Sequence, residues 1–434
     1  MKVSSQVFAL VIVATTLQGC GESTTSDANP TTDPTTVTDG TDPSDPSDPT
    51  GEETPFLNQV LSDIGNNVIL PTYASFEGSA SSLVTALSDY QLLLETDSAS
   101  DAELASVQAQ WINTMVAWQA AEVLQLGPAA PVGALEPAVG AMGLRDEIYS
   151  WPTVNQCRVD QELVEAKFAD ATFFEQELNN VYGLDASEYL LFETGTDNAC
   201  PPQASINSQG LWDELSEADL AQSRVAYSLA LASNVLSRAD ELHAAWAVDE
   251  GNFVTDFANA GLGNSVYSTS QEALNDLSDA LFYIEKVVKD YKLARPVGIL
   301  GCSQITCPEN VESRFSRMSK EAIVANLRAA HLIFTGAQGE TTSLGLEDYL
   351  KSVEGGDALA LPMVESLTQT VEALEGMDTT IYDAVAEEGE CTPEGSGTVC
   401  SIYYKLKGFT DRLKTNFLEV LELDLPASAT GDSD

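Results

Sequence analysis

Residues 100–118 read SDAELASVQAQWINTMVAW, and this stretch predicts an α-helix. Ser100 and Glu103 are spaced as in a capping box, where the two side chains satisfy backbone N–H groups at a helix start. Apolar residues then recur every three or four positions, which places them on one helical face. These residues are Leu104, Val107, Trp111, Met115 and Trp118. Gly127-Pro128 follows, a pair that is typical of a helix end.

The same period continues through most of the chain. Further helical patterns cover residues 159–181, 212–247, 266–292, 318–335, 360–387 and 400–422. The sequence lacks the alternating β-branched runs, bounded by turns, that predict strands. We therefore expect an all-α fold of helical bundles. The length suggests two of them, over 55–205 and 206–428. A short echo of Gly183-Leu184-Asp185 in Gly345-Leu346-Glu347 is consistent with a duplication.

The N-terminus has the pattern of an export signal. An apolar run over 7–14 is too short to span a membrane and is typical of a signal-peptide core. Leu17-Gln18-Gly19-Cys20 follows and resembles the lipobox of bacterial lipoproteins, in which the cysteine is acylated. We predict a signal peptide over 1–19 and a lipid anchor on Cys20. An ordinary signal peptide with a chance cysteine is the alternative.

Gly21 and the segment around it indicate where the folded part of the protein is attached. Gly21 rather than Asp resembles a lipoprotein sent to the outer membrane of a Gram-negative-type cell envelope, on its periplasmic or its outer face. The segment 20–54 is rich in Ser, Thr, Asp and Pro and has almost no apolar side chains. Because such a composition buries too little surface to offset chain entropy, we expect a disordered, acidic spacer.

The chain is strongly acidic, with 67 acidic residues against 19 basic ones and a net charge of −48. This charge argues against nucleic acid, and against anionic polysaccharide unless metal ions bridge the two. It favours cations or basic surfaces as partners. A salty habitat, in which counter-ions screen the repulsion between acids, is the other explanation.

Six cysteines remain when Cys20 is set aside, and an even number in an exported chain indicates disulfides. Six cysteines allow fifteen connectivities. A tetrathiolate zinc site is the alternative, but the sequence has no Cys-x-x-Cys pair. Proximity along the chain favours Cys302–Cys307 and Cys391–Cys400, and it leaves Cys157–Cys200.

The hexapeptide 183–188, Gly-Leu-Asp-Ala-Ser-Glu, carries the best candidate site. On a helix, Asp185 and Glu188 lie on one face at i and i+3. Gly183 suits a turn or a close backbone approach at the helix start. Two carboxylates suit a divalent or ferric cation that prefers oxygen ligands, such as Ca²⁺, Mn²⁺ or Fe³⁺. The acids also complement the helix dipole without any ligand, so a purely structural role stays open.

Glu122 is a third candidate ligand. It extends the apolar stripe that ends at Trp118 by four residues, so we expect it to point inward. A buried carboxylate needs a partner or a metal. Arg145 or Arg314 is one candidate partner; a cation shared with Asp185 and Glu188 is the other.

An ordered series of motifs resembles the imelysin family. The matching segments are 68–73, Trp118 with Gly127-Pro128, 148–152, 183–188, 292–298, 312–316, 326–336 and Gly345-Leu346. Asp185 stands where the family's Gly-x-His-x-x-Glu signature has His. The resemblance implies paired helical bundles with the signature near their junction. It also implies a connection with iron, since the family includes iron-regulated lipoproteins, the periplasmic part of an iron-uptake system and a protein first described as an insulin-cleaving metallopeptidase.

The sequence favours a non-catalytic, metal- or iron-associated binding protein that acts in metal acquisition, with an envelope transporter or receptor as a further partner. A metallopeptidase is the alternative, and the missing signature His argues against it. His243 and His331 are the only histidines, and neither lies in a zinc-peptidase motif. We expect both to be structural. A polysaccharide-binding lipoprotein is a third hypothesis. Trp118, Trp151 and Tyr189 are expected to be core residues.

Overall fold

The computed structural model describes residues 55–132, 139–263, 265–336, 343–395, 397–426 and 429. Within these ranges the regular structure is entirely helical, so the all-α prediction is confirmed. The signal peptide, the acylated Cys20 and the acidic spacer predicted over 1–54 lie outside the described residues.

The α-helices follow one another along the chain with short connections. They are α1 (Phe56–Ile64), α2 (Leu70–Glu95), α3 (Asp101–Glu122), α4 (Arg145–Ile148), α5 (Gln156–Glu165), α6 (Phe173–Gln176), α7 (Leu184–Phe192), α8 (Ser205–Ser208), α9 (Glu217–Trp246), α10 (Phe253–Ala258), α11 (Ser270–Tyr283), α12 (Ser319–Thr335), α13 (Leu346–Ser352), α14 (Asp357–Glu375), α15 (Ile381–Glu387), α16 (Thr398–Arg412) and α17 (Leu418–Val420). Segments of π-helix lie at Gly65–Ile69, Ile284–Ala294 and Leu413–Phe417, and 3₁₀ turns at Gly127–Ala129, Lys167–Ala169, Asn179–Val181 and Pro308–Asn310.

The long helices pack side by side around a continuous apolar core. Helix α2 packs against α9 and α3, and α12 packs against α3 and α14. Helix α16 packs against α14 and the π-helical segment Ile284–Ala294. The short helix α7 is enclosed by α9 and α3. A smaller apolar cluster lies beside α7 and includes Phe173, Tyr182, Trp212 and Tyr227. The division into bundles at 205/206 stays a prediction.

Helix α3 forms as its sequence predicts. Ser100 and Glu103 make the capping box, with the Ser100 backbone N–H donating to Glu103 Oε2 over 3.0 Å. Trp111, Met115 and Trp118 are buried along one face. The helix ends at Glu122, just before the 3₁₀ turn that begins at Gly127.

Two predicted helices are broken in the structure. The prediction of a single helix over 159–181 is wrong, because α5 ends at Glu165 and Ala166 adopts a left-handed conformation with φ 51°. Asp170 then accepts hydrogen bonds from the backbone and hydroxyl of Thr172, which favours a turn over a helix. The pattern over 360–387 is likewise divided, into α14 and α15, by a connection over 376–380.

Three disulfides each close a loop of the chain. They join Cys157 to Cys200, Cys302 to Cys307, and Cys391 to Cys400, which are the pairs favoured by sequence proximity. Among the described helices, none combines the length and the apolar composition that crossing a membrane requires.

The excess of acids predicts a salt-dependent stability. The body from residue 55 carries 40 more acidic than basic side chains. Repulsion among these charges destabilises the compact state at low ionic strength, and 1 M salt shortens the Debye length to about 3 Å. We expect the melting temperature to rise by roughly 5 °C between 0.05 and 1 M NaCl, as measured by circular dichroism at fixed pH. A flat or falling melting temperature would contradict this expectation.

Candidate functional site

Helix α7 carries the Asp185–Glu188 pair into the interior of the protein. All residues from Leu184 to Leu191 are buried, including both acids. Gly183 precedes the helix with φ 96°, a conformation that L side chains rarely adopt. A Cβ atom at this position would lie 2.9 Å from the Ile148 carbonyl oxygen and 3.0 Å from Asp185 Oδ1. The structure therefore requires the glycine that the sequence places there.

Asp185 lies in a polar pocket with few donors. Its Oδ2 is 3.1 Å from the Ser150 hydroxyl, and its Oδ1 accepts from the Ala186 N–H over 3.1 Å. The same Ser150 hydroxyl is 2.9 Å from the Asn179 carbonyl oxygen, which can only accept. Burial raises the pKa of Asp185 to about 7, although Ser150 and the nearby Arg145 act in the opposite direction. Near neutral pH, this carboxyl is balanced between its two protonation states.

Glu188 is fixed by the segment that leads into α12. Its Oε1 accepts from the Ser316 N–H and hydroxyl, each over 2.8 Å, and from the Phe315 N–H over 3.2 Å. Burial raises the pKa of Glu188 to about 7 despite these bonds, and the buried Glu312 carboxylate adds to the rise. Among the described residues, none donates a hydrogen bond to Oε2, so this oxygen is available to a ligand.

Both acids line a cavity of about 260 Å³. Trp151 and Phe315 also contribute to its wall, and so do Arg295 and Arg314. The lining residues are Trp151, Pro152, Val154, Gln156, Asp185, Glu188, Arg295, Glu309, Asn310, Val311, Ser313, Arg314 and Phe315. This described lining contains no His or Cys, so the side-chain ligands that it offers a metal are oxygen atoms.

The two arginines of the cavity have no carboxylate partner among the described residues. Arg295 stacks on the Tyr291 ring at 3.9 Å, and its buried Nε has no hydrogen-bond partner in this part of the chain. Arg314 donates to Gln156 Oε1 over 2.9 Å and stacks on the Phe315 ring. Aromatic rings and a neutral amide thus hold both guanidinium groups, and no direct ion pair ties either of them to a carboxylate among the described residues.

A buried polar network lies behind the two acids. Lys292 Nζ is 3.0 Å from Glu312 Oε1 and 2.9 Å from Asn326 Oδ1, and it also donates to Gln119 Oε1. The Tyr149 hydroxyl donates to the same Glu312 oxygen over 2.8 Å. Burial raises the pKa of Glu312, and Lys292 acts against this rise. The network fixes the end of α3, the π-helical segment Ile284–Ala294 and the residues before α12 relative to one another.

Glu122 lies close to this network and is fully buried, as its position on the apolar stripe predicts. Its Oε1 is 2.9 Å from Arg145 Nε, which confirms the ion pair proposed for it. Its Oε2 has no hydrogen-bond partner among the described residues. Within the described ranges, no group of three or more His, Cys, Asp or Glu side chains is arranged to hold a metal ion. The joint site of Glu122 with Asp185 and Glu188 stays a prediction.

The histidines lie outside the cavity. His243 Nδ1 is paired with Glu77 Oε2, and His331 Nδ1 lies 3.4 Å from the Thr335 hydroxyl. Burial lowers the pKa of His331, which disfavours its charged form. Both have the local partners of structural histidines. Trp118 and Tyr189 are core residues, whereas Trp151 is only partly buried and faces the cavity.

The sequence did not identify Lys292, Glu312 and Gln119 as members of the site. One local signal was present for the lysine, because it extends the apolar row of Leu281, Ile284 and Val288 by four residues. That is the same reasoning that located Glu122. The partners themselves are distant in sequence: Gln119 and Glu312 are separated by 193 residues.

Comparisons with known proteins agree with the all-α fold. The imelysin family model matches residues 69–412, which is most of the chain. A crystal structure of an imelysin-like protein from Psychrobacter arcticum 273-4 has a TM-score of 0.60 and 17% identity, over 85% of this chain and 96% of that one. A protein named as a putative iron-regulated protein A precursor, from Parabacteroides distasonis ATCC 8503, has the same TM-score and identity, over 83% and 95%. No curated protein matches the chain significantly.

The chain belongs to the imelysin family, as its motifs predicted. That residues 183–188 occupy the place of the family signature, with Asp185 in the position of its histidine, stays a prediction. At the identity of the two solved structures, the likeness establishes the fold alone.

Proposed function

We propose that this protein is a lipid-anchored envelope protein that binds a hard metal cation at Asp185 and Glu188 and serves metal or iron acquisition. The observation that carries the proposal is the pair of buried carboxylates facing one cavity. The pKa of each is raised to about 7, so their charges lack sufficient positive compensation. A bound cation would supply that compensation.

The chemistry of the donors decides which cations fit. Carboxylate oxygens favour Ca²⁺, Mn²⁺ and iron over metals that prefer nitrogen or sulfur ligands. Asp185 in place of the signature His moves the preference further from zinc. The name of the Parabacteroides protein, which refers to iron regulation, supports iron as the physiological metal.

Two carboxylates do not complete the coordination of such a cation, which takes about six oxygen ligands. Water or a second molecule must provide the others. Arg295 and Arg314 face the same cavity, and guanidinium groups bind carboxylates and other oxygen anions in a bidentate way. We therefore favour a cation that arrives together with an oxygen-rich anion. The lipobox at Cys20 supports attachment of this binding protein to a membrane.

Calorimetric titration of the purified protein with Mn²⁺, Ca²⁺, Fe²⁺, Fe³⁺ and Zn²⁺ tests the proposal. We expect one-to-one binding of an oxygen-preferring cation, weakened about 100-fold or more in Asp185→Ala and in Glu188→Ala. Citrate should strengthen binding, and this increase should be lost in Arg314→Gln. The matched control is the Glu372→Ala, Glu375→Ala double variant, which removes two exposed acids at the same helical spacing.

The outcomes separate the roles of the three acids. Weak binding of uncertain stoichiometry that survives both signature substitutions would show that the signature is structural. Glu122→Gln reports on the third ligand: unchanged affinity removes Glu122 from the site, and weakened affinity places it there.

A further inference from the structure

A second cavity, of about 220 Å³, lies between α3, α7 and α9. It shares no lining residue with the cavity at Asp185 and Glu188. Leu104, Leu190, Leu220 and Val225 give it apolar walls. Its size is below that of pockets for drug-sized ligands, which hold about 300–1,000 Å³. A molecule with a few carbon atoms would fill it.

One charged group in this cavity has a buried donor without a hydrogen-bond partner among the described residues. Arg224, on α9, lines the cavity and is 8% exposed. Its Nη2 atom is buried and has no acceptor among the described residues. Burying a charged donor without an acceptor costs more than burying a neutral one. A ligand that supplies an acceptor for Arg224 within the cavity would lower this cost.

The nearby acid does not supply it. Burial raises the pKa of Asp160 to about 6, and Arg224 is close enough to act against this rise. Both Asp160 oxygens, however, lie 3.1 Å from the Tyr189 hydroxyl, and Oδ2 also accepts from the Ala199 N–H over 2.7 Å. Asp160 thus offsets part of the charge at a distance, while the Nη2 donor stays open.

We propose that this cavity binds a small organic monocarboxylate with an apolar body. A carboxylate matches the planar fork of a guanidinium group, and the leucine walls match a short branched or linear hydrocarbon. Asp101 and Glu217 also line the cavity and are exposed. Their negative charges repel any anion, and they disfavour a ligand with two acidic groups more strongly than one with a single charge. The site therefore selects a single negative charge joined to an apolar body.

The probe is 4-methylpentanoate, titrated into the full-length protein and followed by calorimetry and saturation-transfer NMR. Methylsuccinate and inorganic phosphate serve as the comparison anions. We expect saturable one-to-one binding of 4-methylpentanoate, weakened at least tenfold in Arg224→Gln. Charge-assisted hydrogen bonds of about 1.5–3 kcal/mol correspond to a loss of that size. Arg238→Gln is the matched control, because Arg238 lies on the same helix and is paired with Glu241.

A second variant tests the proposal independently, in case Arg224→Gln fails to fold. Ala221 lines the cavity beside Leu220 and one turn before Arg224, so Ala221→Leu fills the space and leaves the arginine in place. This variant should also lose 4-methylpentanoate binding. The proposal is overturned if the wild type shows no saturable binding at millimolar probe, or if neither variant weakens it. It is equally overturned if phosphate or methylsuccinate binds as tightly as 4-methylpentanoate, which would indicate an unselective anion site.

Discussion

Replacing Lys292 with methionine is expected to lower the free energy of unfolding by about 3–5 kcal/mol at pH 7. The ammonium group is buried, and each of its three donors has a partner, in Glu312, Asn326 and Gln119. Methionine fills most of the volume but provides no donor. The Glu312 carboxylate then loses its nearest cation. Its other oxygen, Oε2, already lacks a hydrogen-bond partner among the described residues.

Urea denaturation followed by circular dichroism measures this loss. Adding Glu312→Gln to Lys292→Met should recover part of it, because the uncompensated charge is then removed. The matched control is Arg328→Met, which breaks an exposed ion pair with Glu375 and should cost less than about 1 kcal/mol. If Lys292→Met and Arg328→Met destabilise the protein equally, the buried network does not have the importance assigned to it.

Sequence patterns predicted the parts of this protein whose causes are local. The capping box at Ser100 and the three-to-four spacing after it depend on neighbouring residues, and α3 forms as expected. Gly183, Asp185 and Glu188 are also a local group, because a helix brings i and i+3 together whatever surrounds it. Glu122 was located by the same reasoning, since a polar residue on an apolar stripe must be buried.

The remaining features depend on contacts that no local pattern contains. Residues 159–181 have a helical period, but the turn at Asp170 and the packing of Phe173 beside Tyr182 break it into short pieces. Glu188 is held by Ser316, which is 128 residues away. The opposing charges of Lys292 and Glu312 come from different elements, so their pairing follows only from the packing of the bundle.

The metal-free protein is expected to lose stability as the pH rises from about 5 to 8. Burial raises the pKa of both Asp185 and Glu188 to about 7 in the folded state. An acid whose pKa is raised by folding stabilises the protein fully below its unfolded pKa, near 4, and that stabilisation is lost as the pH passes the folded value. For Asp185 alone the whole loss, from about pH 4 to pH 8, is on the order of 4 kcal/mol, and about 3 kcal/mol of it falls between pH 5 and pH 8.

The amide variants Asp185→Asn and Glu188→Gln test this directly. Each mimics the protonated acid, so the double variant should be more stable than the wild type at pH 8, and the difference should shrink steadily towards pH 5. The double variant can keep the hydrogen bonds made by the side chains at positions 185 and 188. The amide introduced by Asp185→Asn can donate to the Ser150 hydroxyl while that hydroxyl donates to the Asn179 carbonyl, as a protonated Asp185 would. The amide oxygen introduced by Glu188→Gln can accept from Ser316 as the carboxylate does.

Chemical denaturation at pH 5, 6, 7 and 8, with chelator present, gives the comparison. A wild type that is as stable at pH 8 as at pH 5, or a double variant that is less stable at pH 8, would contradict the assignment of two uncompensated carboxyls. Repeating the denaturation at pH 8 with Mn²⁺ in place of chelator is a second test, because a cation that binds only the native state stabilises it. We expect that stabilisation in the wild type and its absence in the double variant, since the carboxylates that destabilise the metal-free protein are the groups proposed to hold the metal.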